Sequence, residues 1–170
     1  LENRDGNCNV RFKQAETHRR FFEMMRSFGI HVRSFRADCG SYSEDIVKVV
    51  MEHTEKFYIR AERYAGLYEK VKRQTGWTTV EIGFQHYDVQ SFPFESFEDV
   101  KHCRLVVQRQ RKQKGEQLDL FDGEYTYRCI LTNDWDMTDE EIILHYNKRG
   151  SAEQVFDRQN NDFGWAHLPK

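Results

Sequence analysis

Between Ala15 and Phe28, apolar side chains recur at Phe21, Met24, Met25 and Phe28. That is the i, i+3, i+4, i+7 spacing of one helical face, and Gly29 stands where a C′ glycine would end such a helix. The run Ile30 to Ala37 is short and rich in β-branched and aromatic residues, which predicts a strand. Ser41-Tyr-Ser-Glu44 has the spacing of a capping box, and Ile46, Val47, Val49, Val50 and His53 follow as the face of a second helix. Phe57 to Ala61 predicts another strand. Helix, strand, helix, strand with short connections is the alternation of a parallel sheet, so this half of the chain reads as α/β.

The pattern changes near Gly66. Short β-rich pieces follow at Thr79–Ile82, Tyr87–Phe92, Cys103–Gln108 and Tyr125–Thr132. They predict a mostly antiparallel β insertion over residues 75–133, flanked by core segments 1–74 and 134–170. Asn133 to Met137 reads as a loop, and Thr138-Asp-Glu-Glu141 is a second capping box. The helix that it opens is expected to carry Glu153.

That last helix has an unusual stripe. At about 3.6 residues per turn, Ile142, Tyr146, Arg149, Glu153 and Asn160 fall within roughly 60° of one another. A core-facing stripe is ordinarily apolar; an acid, a base and an amide in it point to a site as well as a core. Upstream, Asp38-Cys-Gly40 closes the first predicted strand and puts a carboxylate at the sheet edge where open α/β sheets bind ligands. A strand-end acid and a helix acid are what a divalent-metal phosphoryl-transfer site uses, because Mg²⁺ takes oxygen ligands and keeps several waters. Arg149, one turn before Glu153, suits bidentate phosphate binding. Taken singly, an Asp before a glycine turn is ordinary surface chemistry, and an Arg–Glu pair at i, i+4 is ordinarily a modest helix ion pair.

Composition excludes more than it selects. Aromatic residues make up 14% of the 170-residue chain, which argues against disorder despite a mean hydropathy of −0.85. No apolar run approaches the ~20 residues of a membrane span. The four cysteines, Cys8, Cys39, Cys103 and Cys129, have neither CxxC spacing nor a disulfide framework and read as reduced thiols. A net charge of −2 does not announce nucleic acid, but its distribution is uneven. Lys101, Arg104, Arg109, Arg111, Lys112 and Lys114 occur without an intervening acid, and Glu116, Asp119, Asp122 and Glu124 follow. Arg109, Arg111, Lys112 and Lys114 are candidate DNA-phosphate contacts; a solvated hairpin tip would give the same pattern.

Together these motifs resemble the bacterial insertion-sequence transposases of the DDE type, whose RNase H-like core is interrupted by a β insertion. The family signature Tyr-x2-Arg-x3-Glu-x6-Lys corresponds here to Tyr146, Arg149 and Glu153, with Asn160 in place of the lysine. Arg36-Ala-Asp38-Cys-Gly40 is similar to the stretch that carries the family's second acid, and Arg4-Asp-Gly-Asn7 to the turn before the preceding helix. The resemblance implies Mg²⁺ (or Mn²⁺) held by Asp38 and Glu153, with Tyr146 and Arg149 contacting DNA. It implies cleavage and strand transfer on double-stranded DNA at transposon ends, by a homodimer in the bacterial cytoplasm with no membrane association. The family's first acid lies upstream of any residue present here, so the chain is expected to be a catalytic-core fragment, inactive alone. The rival expectations are a non-catalytic DNA-binding remnant of a transposase and an RNase H-like nuclease.

Overall fold

Phe22, not the stripe that announces the first helix, is what that helix buries. The computed structural model describes residues 13–112 and 124–150. Its first helix, α1, spans Gln14–Ser27. Phe22 is buried between Phe35 and the ring of His53, with ring centroids 6.0 and 5.3 Å away. Phe21, Met24 and Phe28 are 44%, 50% and 72% exposed. The i, i+3, i+4 spacing thus predicted the helix correctly but did not mark its core-facing side. The stop signal held: the Gly29 and Ile30 N–H groups bond the Arg26 and Met25 carbonyls, both at 2.9 Å, with Gly29 at φ 71°. These are the two bonds of a Schellman cap, whose left-handed residue favours glycine.

Strand β1 (Val32–Ala37) leads through Asp38 into one 3₁₀ turn (Cys39–Ser41) and then helix α2 (Glu44–His53). The expected Ser41–Glu44 capping box does not form. The N-cap is Ser43, Ser41 is drawn into the 3₁₀ turn, and the Glu44 carboxylate accepts from the distant Asp99 N–H at 2.6 Å. Helix α2 does bury Ile46, Val47, Val49 and Val50. Strand β2 (Thr54–Arg60) runs parallel to β1, with Ala37 level with Ile59. Helix α3 (Ala65–Lys72) precedes β3 (Thr78–Ile82), β4 (Gln85–Pro93), β5 (Arg104–Arg111) and β6 (Tyr125–Thr132). These four strands are antiparallel, as expected. They continue the sheet of β1 and β2, in the order β1-β2-β6-β5-β4-β3, because Tyr58–Arg60 of β2 pairs with Ile130–Thr132 of β6.

The sheet therefore has two differently covered faces. Leu105, Val107, Tyr127, Cys129 and Leu131 join Phe57 and Ile59 under α1, α2 and α3. On the opposite face, Tyr58, Val89, Val106 and Ile130 pack against Ile142, Ile143 and Tyr146 of helix α4 (Asp139–Asn147). Period-2 alternation along each strand fixes which residues go to which face. Cys39, Cys103 and Cys129 form no disulfide, and burial pushes the Cys103 and Cys129 thiols up to about 11 and about 12.

Candidate functional site

Helix α4 begins as its sequence predicts. Thr138 Oγ1 accepts from the Glu141 N–H at 3.3 Å, and the Glu141 carboxylate accepts from the Thr138 N–H at 2.8 Å. It ends sooner than predicted: Lys148 is its C-cap, and Arg149 and Gly150 resume helical structure after that break. The helix expected to run unbroken to Glu153 is thus interrupted one residue before Arg149. Glu153 and Asn160 lie outside the described residues, as does Lys114.

Two bonds fasten the last turn of α4 to the C-terminal end of β1. The Tyr146 hydroxyl donates to the Ala37 carbonyl at 3.2 Å, and Arg36 Nη1 donates to the His145 carbonyl at 2.7 Å. A cation at a helix C-terminus also meets the negative end of the helix dipole. Residues 109 positions apart in sequence are thereby joined immediately before Asp38. The Asp38 side chain is exposed and accepts from the Gly40 N–H at 2.9 Å. An exposed carboxylate oxygen on a rigid strand end fits a hard cation such as Mg²⁺. Among the described residues, no three His, Cys, Asp or Glu side chains gather closely enough to hold a metal ion.

The Arg149 guanidinium lies 5.9 Å from the centroid of the Tyr146 ring. Burial raises the Tyr146 pKa and the nearby Asp38 carboxylate adds a little to that, while the Arg149 guanidinium works against the shift. The Tyr146 side chain thus lies between the β1 backbone and the arginine. His145 lies against Tyr58, ring centroids 4.5 Å apart. Burial lowers its pKa, and Arg36 and Lys148 push in the same direction.

A second polar network, which sequence reasoning missed, holds α4 from its other end. Asp134 is buried; Tyr58 Oη donates to its Oδ2 at 2.6 Å, and Lys56 Nζ stands 3.3 Å from its Oδ1. Burial alone would push this carboxyl up, but the bonds from Tyr58, the Asp136 N–H, Lys56 and the Met137 N–H outweigh it and hold the pKa low. Arg104 is also buried and donates to the Asp134 and Met137 carbonyls and, at 3.0 Å, to Asp139. The Asn133 side chain accepts from the Phe57 N–H and donates to the Glu55 carbonyl. The available signal was Asn133-Asp-Trp-Asp136, three polar residues in a loop that the following capping box turns back onto the sheet.

The basic run from Lys101 to Lys114 divides by position. Arg104 belongs to the buried network. Arg109 Nε is 3.0 Å from Asp88, and its guanidinium lies 4.1 and 4.4 Å from the rings of Trp77 and Tyr125. Arg111 forms a 3.5 Å ion pair with Glu124 on exposed side chains, and the Lys112 N–H bonds the Glu124 carbonyl at 2.8 Å. The alternation puts Arg109 and Arg111 on the sheet face opposite α4.

The juxtaposition of the Tyr146–Arg149 segment with the Asp38 strand end can be compared with known families. The transposase DDE domain matches residues 7–170. The chain belongs to the transposase DDE domain family. No curated protein matches it. The α/β sheet with helices on both faces is consistent with the RNase H-like core of DDE transposases. Membership implies a function related to transposition, polynucleotidyl transfer by full-length members, action on DNA and the general use of divalent metal ions. Among the described residues, no helix is long and apolar enough to cross a membrane.

Proposed function

We propose that this DDE transposase cleaves double-stranded DNA at the ends of an insertion sequence and transfers the strand to target DNA. The observation that carries this reading is the Tyr146–Ala37 bond, which seats the Tyr-Arg signature segment against the strand end bearing Asp38. In this reading Asp38 and Glu153 hold Mg²⁺ (or Mn²⁺), and both are catalytic. The bound cation supplies charge neutralisation at the scissile phosphate. Arg149 binds a non-bridging phosphate oxygen, its guanidinium held beside the Tyr146 ring. The Tyr146 ring borders the nucleotide, and Arg111, Lys112 and Lys114 take backbone phosphates from the β5–β6 tip. Arg109 belongs to the same basic tip, although Asp88, Trp77 and Tyr125 compete for its guanidinium.

The chemistry is two displacements at phosphorus. Water attacks the transposon-end phosphodiester, the P–O3′ bond breaks, and a 3′-OH is freed. That hydroxyl then attacks a target phosphodiester, displacing a second 3′ oxygen. Two copies of the protein act together, one at each transposon end. The test is a plasmid nicking and joining assay on the full-length protein, comparing wild type with Asp38→Asn and Glu153→Gln. Both variants should bind end DNA and lose at least about 100-fold in cleavage, the scale of lost electrostatic stabilisation at a charged transition state. Cleavage at the wild-type rate in either variant would refute the assignment.

A further inference from the structure

The face of the sheet that carries α4 is only partly covered by it. Beyond the helix, the cross-strand register places Val89, Gln108 and Arg128 side by side in one row. Gln110 and Thr126 form the next row, and Tyr87 of β4 alternates onto the same face. Tyr87, Gln108, Gln110, Thr126 and Arg128 line a shallow open recess. The strand acids Glu81 and Asp88 alternate onto the opposite face, where Asp88 meets Arg109. Arg128 is exposed and has no acidic partner among the described residues. Gln108 is only 6% exposed, but its amide lines the open recess and makes no hydrogen bond among the described residues. Its donor is therefore available to a ligand that enters there.

Register also relates the recess to the candidate active site. Ala37 is level with Ile59, and Arg60 with Ile130, so Asp38, Arg60 and Ile130 stand at one height across β1, β2 and β6. Arg128 is two residues further along and two strands over, on the order of 10–12 Å from Asp38 at ideal strand spacings. That distance is comparable to the width of one major groove, about 12 Å. Arginine, glutamine, threonine and tyrosine are side chains that serve the phosphate and sugar oxygens of DNA.

We infer that this recess, centred on Arg128 and Gln108, is a second contact surface for the sugar–phosphate backbone of the duplex whose reacting phosphate lies at Asp38. It rests on the DNA-processing reading above. In it, Arg128 neutralises one phosphate, the Gln108 amide donates to a neighbouring backbone oxygen, and neither reads base sequence.

The experiment is a salt titration of fluorescence anisotropy, using the full chain and two unrelated 20-base-pair duplexes. Wild type should bind both. Arg128→Gln should weaken binding several-fold and lower the log K against log salt slope by about 0.9, the effect of one lost phosphate contact. Arg128→Lys should restore the slope. Gln108→Leu, close in volume and free of an unmet amide, should leave thermal melting intact and weaken binding without changing the slope. If wild type binds while Arg128→Gln matches it in affinity and slope, this inference falls and the DNA reading stands. A loss confined to one duplex would show base readout and equally overturn it. Failure of wild type to bind either duplex would sink both.

Discussion

The Tyr146 hydroxyl donates to the carbonyl of Ala37 at 3.2 Å, tying the signature helix to the residue that precedes Asp38. The Arg149 guanidinium lies 5.9 Å from the centroid of the same ring. One tyrosine thus touches both the strand end that bears Asp38 and the arginine proposed to hold phosphate.

Tyr146→Phe keeps the ring among Ile142, Ile143 and Ile130 and removes only the hydroxyl. It should cost about 1 kcal/mol of stability, the net worth of a hydrogen bond. Cleavage by the full-length protein should fall more than that cost explains, since the signature helix loses its tie to the strand end that bears Asp38. Urea melts beside single-turnover cleavage separate the two effects; equal activity at equal fold would show that the strand end needs no such tie.

Asp134 is the buried acid on which Tyr58, Lys56 and the loop before α4 converge. Asp134→Ala should destabilise the chain by roughly 3–5 kcal/mol, the penalty for breaking a buried charged network on one side. Tyr58→Phe should cost about 1.5–3 kcal/mol, since its bond goes to a charged group. Denaturant unfolding gives both numbers, and a near-neutral Asp134→Ala would mean that the loop repacks freely.

His145 should make the fold less stable as pH falls from neutral. Its folded pKa lies below 6.5, so the unfolded chain binds the proton first. Its contribution is complete above 6.5 and is lost as pH drops toward the folded value. Asp134, also lowered, loses its contribution further down, as pH falls below 3.8 through its folded pKa. The groups facing His145 are Tyr58, Arg36, Lys148 and Asp134. Urea midpoints at pH 7.5 and 5.5 should differ for wild type and converge in His145→Gln.

The bases of the β5–β6 tip should separate into two behaviours. Arg109→Ala should lower stability by about 0.5–2 kcal/mol through its lost aromatic contacts. Arg111, Lys112 and Lys114 changed together to Ala should leave melting intact and flatten the salt dependence of DNA binding by up to about 3 units. A titration with the slope unchanged would return those three residues to a solvated hairpin end.

Much of this architecture is written locally. Gly29 ends α1 because a left-handed residue is needed within one turn of the last helical carbonyls, and Thr138 with Glu141 starts α4 for the same short-range reason. Strands appear where β-branched and aromatic residues cluster, and Asp38 at the end of one was legible because the next residues turn. Helical spacing also announced α4 through Tyr146, but not its end at Lys148, and Glu153 lies outside the described residues. What the chain did not disclose depends on partners far away. Phe22 is buried instead of Phe21 or Phe28 because β1 and α2 cover only one side of α1. Ser41 joins a 3₁₀ turn, and Glu44 caps the backbone of Asp99 instead of its own helix. Arg104 and Arg109, indistinguishable in sequence from Arg111 and Lys112, are taken up by Asp139 and Asp88 once the strands pair. Tyr58 facing Thr132 is a pairing across more than 70 residues. That register decides which side of the sheet each arginine occupies, because a one-residue slip would move every side chain to the other face.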